Sequence, residues 1–248
     1  MAYEAHPMVF ADKKVTAISP GASEYGHLFG GESCVCSGRR IHRLFEINFD
    51  DPAVPCVPSL QGRVELFYCF DFRENLIGYL PSNRNDFFFD ELDNNTSQHE
   101  EFPTENYPFV FPLQEVRVTK LPYNSASPSD AIAFAGVFGI DDLAPQDRES
   151  VLQQERFDYE LVNGEPPENE AGLIKSLSGP LLQEVPSGIC LNPECACFRT
   201  GEKLLPFCVV PSQPVHQFWL FGADQQNVQV VFEVCVSCGT VVASNQAG

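Results

Sequence analysis

Apolar and polar residues alternate along much of the chain, and this pattern predicts a protein built mainly of β-strands. The clearest case is residues 227–236, in which Val230 and Phe232 share one face while Gln229 and Glu233 share the other. A period of two is typical of a strand with one face in the core. Other predicted strands are rich in aromatic and β-branched residues. These are 41–48, 63–72, 113–121, 203–211 and 215–222.

Helix signals are fewer. Residues 144–160 are predicted to form a helix, because Asp142 is suited to cap it, Pro145 falls near the first turn and strong helix formers follow. Residues 127–139, which open with Ser-Pro, are predicted to form a second helix. The chain therefore has the pattern of an α+β protein in which strands outnumber helices.

Two acidic segments have the composition of exposed loops. Residues 93–106 show no hydrophobic period, and residues 163–172 are rich in Pro and Gly. The second loop marks a predicted boundary. We accordingly divide the chain into a β-rich N-terminal half, a middle segment and a C-terminal β half, all within one compact body. Their predicted ranges are 1–106, 107–172 and 173–248.

The first and last segments resemble each other. Residues 34–72 and 195–238 each run from Cys-x-Cys through an apolar strand and a Pro-containing stretch to a strand that ends in cysteine. The spacing differs by one short loop insertion. The predicted fold is therefore α+β and β-rich, with two similar sheet-containing halves, a pseudo-duplication, and a C-terminal element that resembles a zinc knuckle.

Cysteines in the last quarter predict a structural Zn²⁺ site. Cys235-Val-Ser-Cys238 is followed by glycine, so both thiolates can reach one ion around a tight turn. The other two ligands come from the sequence CLNPECAC, with Cys190 and Cys195 as the first choice and Cys197 as an alternative to either. Four thiolates around zinc form a closed site with no position for water.

Two other interpretations of these cysteines are less favoured. Buried free thiols are common core residues, but five cysteines in two short turns are typical of a metal site. A thioredoxin-type redox pair requires a helix after Cys238, and no helix signal follows.

The first half contains a second set of cysteines, Cys34, Cys36, Cys56 and Cys69. In the register of the repeat, Phe72 occupies the position of Cys238, so one ligand is missing. Cys56 or His42 could complete a site, but their spacing is unlike a zinc knuckle. We expect a degenerate site filled by packing.

The net charge of the chain indicates which classes of partner it could bind. The 15 basic and 34 acidic residues leave a net charge of −19, which repels nucleic acid and anionic membranes and attracts a basic partner protein. Solubility alone is the other explanation of this charge. The sequence has no signal-peptide pattern and no apolar run near the ~18 residues that span a bilayer. We therefore expect a cytoplasmic protein whose ten cysteines serve as thiols and metal ligands.

The end of the chain resembles a known family. Residues 178–183, Ser-Gly-Pro-Leu-Leu-Gln, precede a cysteine pair, an apolar strand and a strand that leads to Cys-x-x-Cys. Over about 178–238 this pattern resembles the YwqG-like bacterial family of domains of unknown function. A weaker resemblance to the same family surrounds Cys34 and Cys36. The layout is also similar to the eukaryotic programmed-cell-death-protein-2 family. The chain departs from the pattern at Ser178, where the family has a second glycine, and in a first half that lacks the proline.

The resemblance implies a β-rich scaffold with a protein partner. Eukaryotic members act as dedicated chaperones of a basic ribosomal protein, and some bacterial members look like immunity proteins. No catalytic signature such as Gly-x-Ser-x-Gly or His-Glu-x-x-His is present in the sequence. We expect a non-catalytic protein-binding module. The alternatives are an enzyme of unrecognised type, which a pocket with convergent titratable groups would indicate, and a purely structural or assembly subunit.

Overall fold

The fold is β-rich with few helices, as the apolar pattern predicts. The computed structural model describes residues 15–70, 74–81, 86–91, 109–121, 139–141, 143–167, 169–177, 189–201, 204–210 and 228–247. The strands are β1 Val15–Pro20, β2 Leu28–Glu32, β3 Cys34–Cys36, β4 Arg39–Asn48, β5 Arg63–Tyr68, β6 Glu74–Tyr79, β7 Phe87–Glu91, β8 Val110–Leu121, β9 Leu205–Val210, β10 Val228–Val234 and β11 Val241–Ala247. The helices within the described part of the chain are α1 Pro145–Asn163, α2 Glu170–Leu177 and α3 Ala196–Thr200.

The strands form two mainly antiparallel sheets that share β8. Residues 110–115 of β8 pair with β2, and residues 116–121 pair with β1. Strands β3, β4 and β5 extend the first sheet beyond β2, whereas β9, β10, β11, β6 and β7 extend the second beyond β1. The pair β1–β9 is parallel. Because β8 is long enough to serve both sheets, the hydrogen bonding runs through all 11 strands without a break.

Both sheets contribute to one apolar core. Phe45 of the first sheet packs edge-on against Phe232 of the second, with ring centroids 6.4 Å apart. The ends of the strand order also meet across this core, because Phe67 of β5 contacts Tyr79 of β6 and Phe87 of β7. The backbone N–H of Phe67 donates a hydrogen bond of 2.9 Å to the Tyr79 hydroxyl. The strand network therefore curls around its core, and Tyr79 links its two ends.

Strand β6 is buried on both faces, and the faces serve different purposes. Ile77 and Tyr79 belong to the main core. Leu76 belongs instead to a smaller apolar cluster with the C-terminal cysteines. Side chains of a strand alternate between its faces, so β6 joins the core to the region of the predicted metal site.

The sequence prediction for β10 was wrong in one respect. We predicted one buried face, but Val231 and Glu233 on the other face are 0% and 1% exposed. Strand β10 lies between β9 and β11 inside the second sheet, and its second face is covered within the molecule. The polar side chains of Gln229 and Glu233 had indicated a face in contact with water. Glu233 is nevertheless buried.

The predicted helix at 144–160 is confirmed as α1, with corrections at its ends. Its N-cap is Ala144, which makes no side-chain cap hydrogen bond, and Pro145 begins the helix. The predicted cap Asp142 lies outside the described residues. At the other end, Gly164 adopts a left-handed φ of 76° and its N–H donates to the Glu160 carbonyl at 2.8 Å.

The predicted loop at 163–172 is shorter than expected, because α2 begins at Glu170. Leu173 and Ile174 of α2 pack against a small buried cluster that includes Val151 and Leu152 of α1. This apolar contact stabilises α2, because tertiary packing supplies most helix stability in proteins.

Three predicted elements lie outside the described residues. They are the strand 215–222, the loop 93–106 and, except for its last residue, the helix 127–139. The sequence reading also missed six strands, which are β1, β2, β3, β6, β7 and β11.

The two predicted halves are similar only in part. Each contains an antiparallel pair, β4–β5 and β9–β10. Their neighbours differ, because β4 pairs antiparallel with β2 whereas β9 pairs parallel with β1. The first Cys-x-Cys forms strand β3, and the second lies at the start of helix α3. Strands of the first half also sit inside the second sheet, so the duplication stays a prediction.

Replacing Tyr79 by Phe tests the link between the two ends of the strand network. The substitution removes the acceptor of the buried Phe67 N–H, and an unsatisfied buried donor costs about 1–3 kcal/mol. We expect the free energy of unfolding to fall by that amount in urea titrations. Tyr159→Phe on α1 is the control, because Tyr159 is 41% exposed and its loss should change stability by less than ~0.5 kcal/mol. Equal effects of the two substitutions would contradict this role of Tyr79.

Candidate metal centre

Four cysteines that the sequence predicts as ligands come together in space. The sulfurs of Cys190, Cys195, Cys235 and Cys238 all lie within 4.8 Å of one another. The Cys190–Cys238 and Cys195–Cys235 sulfur distances are 3.5 and 3.8 Å. A tetrahedral zinc site with Zn–S bonds of about 2.3 Å requires sulfurs about 3.8 Å apart. The cluster therefore has the size and the donor atoms of a four-thiolate metal site, and its sulfurs are too far apart for disulfides.

The turn between β10 and β11 positions two of the ligands. The Cys235 N–H donates to the Thr240 carbonyl, and the Gly239 N–H donates to the Cys235 carbonyl, each at 2.8 Å. Gly239 has a φ of 77°, a conformation that a residue with a β carbon rarely adopts. The glycine after Cys238 thus permits the tight turn that the sequence analysis expected.

The segment before α3 positions the other two ligands. The Asn192 side-chain oxygen accepts a hydrogen bond of 3.0 Å from the Glu194 N–H. The Asn192 carbonyl accepts another, also 3.0 Å long, from the Cys195 N–H. Cys195 then becomes the N-cap residue of α3. These bonds fold the segment back on itself, so that Cys190 and Cys195 reach the same point although four residues separate them.

This segment rests against β6 at a glycine. A β carbon built at Gly78 would lie 2.9 Å from the β carbon of Leu191, which follows the first ligand. Gly78 is paired with Val242 of β11, the strand that leaves the other ligand turn. The absence of a side chain at Gly78 therefore lets the ligand segment approach the sheet beside the second pair of cysteines.

Burial and crowding favour the neutral thiols in the absence of a cation. Burial raises the pKa of Cys195 and of Cys238. A hydrogen bond with Cys190, followed by burial, raises the pKa of Cys235 to about 12. A divalent ion reverses this preference, because it binds the deprotonated sulfurs directly. The Thr240 hydroxyl lies 3.0 Å from the Cys238 sulfur, where it can donate a hydrogen bond to a thiolate.

The alternative ligand Cys197 is directed elsewhere. Its sulfur is buried and donates to the Ser237 hydroxyl at 3.2 Å. This contact fastens α3 to the turn between β10 and β11 beside the four-cysteine cluster. Cys197 thus lies next to the cluster and not in it.

The N-terminal cysteines do not come together in this way. Among the described residues, only the four C-terminal cysteines form a group of metal-binding size. Cys69 lies within the main core, and Cys34 and Cys36 pack against it. Cys56 is exposed, and the His42 ring lies 5.1 Å from that of Phe70. Cys34, Cys36 and Cys69 therefore contribute to apolar packing, whereas Cys56 does not.

The sequence reading missed a buried polar pair, His27 and Asp51. The His27 Nε2 lies 2.7 Å from the Asp51 carboxylate, and its Nδ1 accepts a 3.0 Å hydrogen bond from the Asn48 N–H. The other Asp51 oxygen accepts from the Ala53 N–H at 2.7 Å. The residues are 24 positions apart, so only the folded chain brings them together. Asp51 lies in the segment after β4, in which most residues from Phe49 to Gln61 line an open cavity of about 390 Å³.

The comparisons with known proteins found no match. No family model matches the chain, and neither a curated protein nor a solved structure is detectably similar to it. None of the described helices is both long enough and apolar enough to cross a membrane.

Metal analysis of substituted proteins tests the ligand set. We expect one zinc ion per chain after purification without chelator, and much less than one after Cys190→Ser or Cys235→Ser, because each removes one of four thiolates. Cys197→Ser and Cys56→Ser are the controls, since their sulfurs lie outside the cluster, and both should retain the ion. Inductively coupled plasma mass spectrometry gives the stoichiometry. Loss of zinc from Cys197→Ser alone would transfer the ligand role to that residue.

Gly78→Ala tests the packing of the ligand segment against β6. The new methyl group would push Leu191 away, and such overpacking typically costs about 1–3 kcal/mol. We expect a lower midpoint of thermal unfolding and faster transfer of zinc to a colorimetric chelator. Gly172→Ala in α2 is the control, because its nearest neighbour is an exposed Asn169 side chain and alanine favours a helix. Wild-type zinc transfer by the Gly78 variant would show that this contact does not hold the ligands.

Proposed function

We propose that this protein is a non-catalytic, protein-binding module with a structural zinc ion, and that it serves a basic partner as a dedicated chaperone or immunity-type protein. The four-cysteine centre is the observation that carries the first part. All four donors are cysteine sulfurs, three of them buried and the fourth half-buried. A zinc ion held in this way has its four positions filled, so it supports structure and not substrate binding.

The proposed zinc ion would hold the C-terminal region together. Its ligands come from the segment before α3 and from the turn between β10 and β11, which are about 40 residues apart in sequence. Binding to four thiolates contributes directly to folding, because the site does not exist in the unfolded chain. A reducing compartment such as the cytoplasm would keep these sulfurs available to the metal.

The proposal of a basic partner rests on the net charge of the chain. A net charge of −19 speeds association with a cationic protein and slows association with nucleic acid or an anionic membrane. The resemblance to the YwqG-like and programmed-cell-death-protein-2 families belongs to the same proposal, since it implies a protein partner. Charge steers the encounter, and apolar contacts must then hold the complex.

Affinity capture from the native cell tests this function. We expect one protein with a strongly positive net charge to be enriched and identified by mass spectrometry, and the purified pair to form a complex. Its association rate should fall steeply as salt rises from 0.1 to 1 M, because the Debye length shrinks from ~10 Å to ~3 Å. Lysozyme, which is also basic, is the control for unselective attraction. A best partner no tighter than lysozyme would exclude a dedicated role.

A further inference from the structure

The C-terminal half of α1 has large apolar side chains in contact with water. Its first half is anchored, since Val151 and Leu152 are buried. Phe157 and Leu161 are 59% and 71% exposed. They are four positions apart and therefore lie side by side along one face of the helix. We call these two residues the α1 ridge. Scattered exposed apolar residues are ordinary, but two large ones in register on a helix have the spacing of anchors in helix recognition.

The sequence on both sides of the α1 ridge is acidic. Residues 155–170 contain six acidic residues and one basic residue, Arg156. The Arg156 guanidinium lies 3.3 Å from the Glu149 carboxylate and forms an ion pair with it on the same helix. Glu160 and Glu165 are exposed at the end of the helix near the ridge. The ridge is therefore an apolar strip beside carboxylates.

The helix dipole adds to this negative field. No basic residue lies in the last turn of α1. The C-terminus of a helix carries about half a negative charge, which cations stabilise and carboxylates destabilise. Glu160 and Glu165 thus occupy positions that are unfavourable for the isolated helix. A cation supplied from outside would relieve this repulsion.

We propose that the α1 ridge is the docking surface for the basic partner, and that it binds a cationic amphipathic helix of that partner. This inference rests on the proposed function. Leucine-like side chains of such a helix would pack on Phe157 and Leu161 at the usual interhelical distance of 8–10 Å. Its Lys and Arg residues would face Glu160 and Glu165. A second copy of this chain does not fit, because it would bring two acidic helix ends together.

A defined peptide tests the surface without knowledge of the natural partner. The probe is a fluorescent helical peptide of about 15 residues, made only of Leu and Lys with leucines at helical spacing. We expect fluorescence anisotropy to give at least about tenfold weaker binding for the double variant Phe157→Ser/Leu161→Ser than for the wild type. Leu113→Ser is the matched control, because Leu113 on β8 is 62% exposed, and it should bind as the wild type does.

A second pair of variants tests the charges. Glu160→Gln/Glu165→Gln should weaken binding of the same peptide severalfold and flatten its salt dependence. Glu32→Gln/Glu115→Gln removes the same charge from exposed positions on β2 and β8 and is the control. Circular dichroism and zinc content confirm that every variant is folded.

The outcomes separate this inference from the proposed function. Equal binding by the wild type and the Phe157→Ser/Leu161→Ser variant, or no binding by either, would overturn the α1 ridge as the docking surface. So would a wild-type dimer in light scattering that this variant abolishes, because the occupant would then be a second copy. If a captured natural partner binds both proteins equally well, the ridge inference fails while the proposed function stands. Absence of any selective basic partner removes the proposed function itself.

Discussion

Burial of both faces of β6 joins the apolar core to the candidate metal centre. On one face Tyr79 receives the Phe67 N–H and links the two ends of the strand network across the core. On the other face Leu76 and Gly78 lie beneath the segment that carries Cys190 and Cys195. Alternate side chains of one strand thus contribute to both the core and the candidate metal centre.

The candidate metal centre and the exposed half of α1 differ in their environment. The cysteine sulfurs are largely buried at the end of the second sheet. A metal ion bound there would stabilise turns that are too short to form an apolar core of their own. The acidic and apolar groups of α1 instead face water, on a helix that is anchored by its first half. The buried residues of α1 pack against α2 and the segment before α1, so its exposed residues take no part in that cluster.

The strands that the sequence reading found and missed differ in a physical way. Segments such as β4, β5 and β10 contain several β-branched and aromatic residues, which fit a pleated, half-buried surface. Strands β2, Leu28–Glu32, and β11, Val241–Ala247, contain glycine or polar residues in place of such a run. Each also pairs with a strand far along the chain, β2 with β8 and β11 with β6. Local composition carries little information about that pairing.

The sequence alone was enough to predict a possible metal site near its end, a helix with Pro145 near its first turn, and a predominance of strands. These features depend on ligand chemistry, backbone geometry and hydrophobic period, all of which are local. The choice between Cys195 and Cys197 needed the folded chain, in which Cys195 joins the sulfur cluster and Cys197 donates to Ser237. The tertiary structure also decided that Glu233 is buried and that His27 meets Asp51. The physical reason is that side-chain direction and burial depend on contacts between residues far apart in the chain.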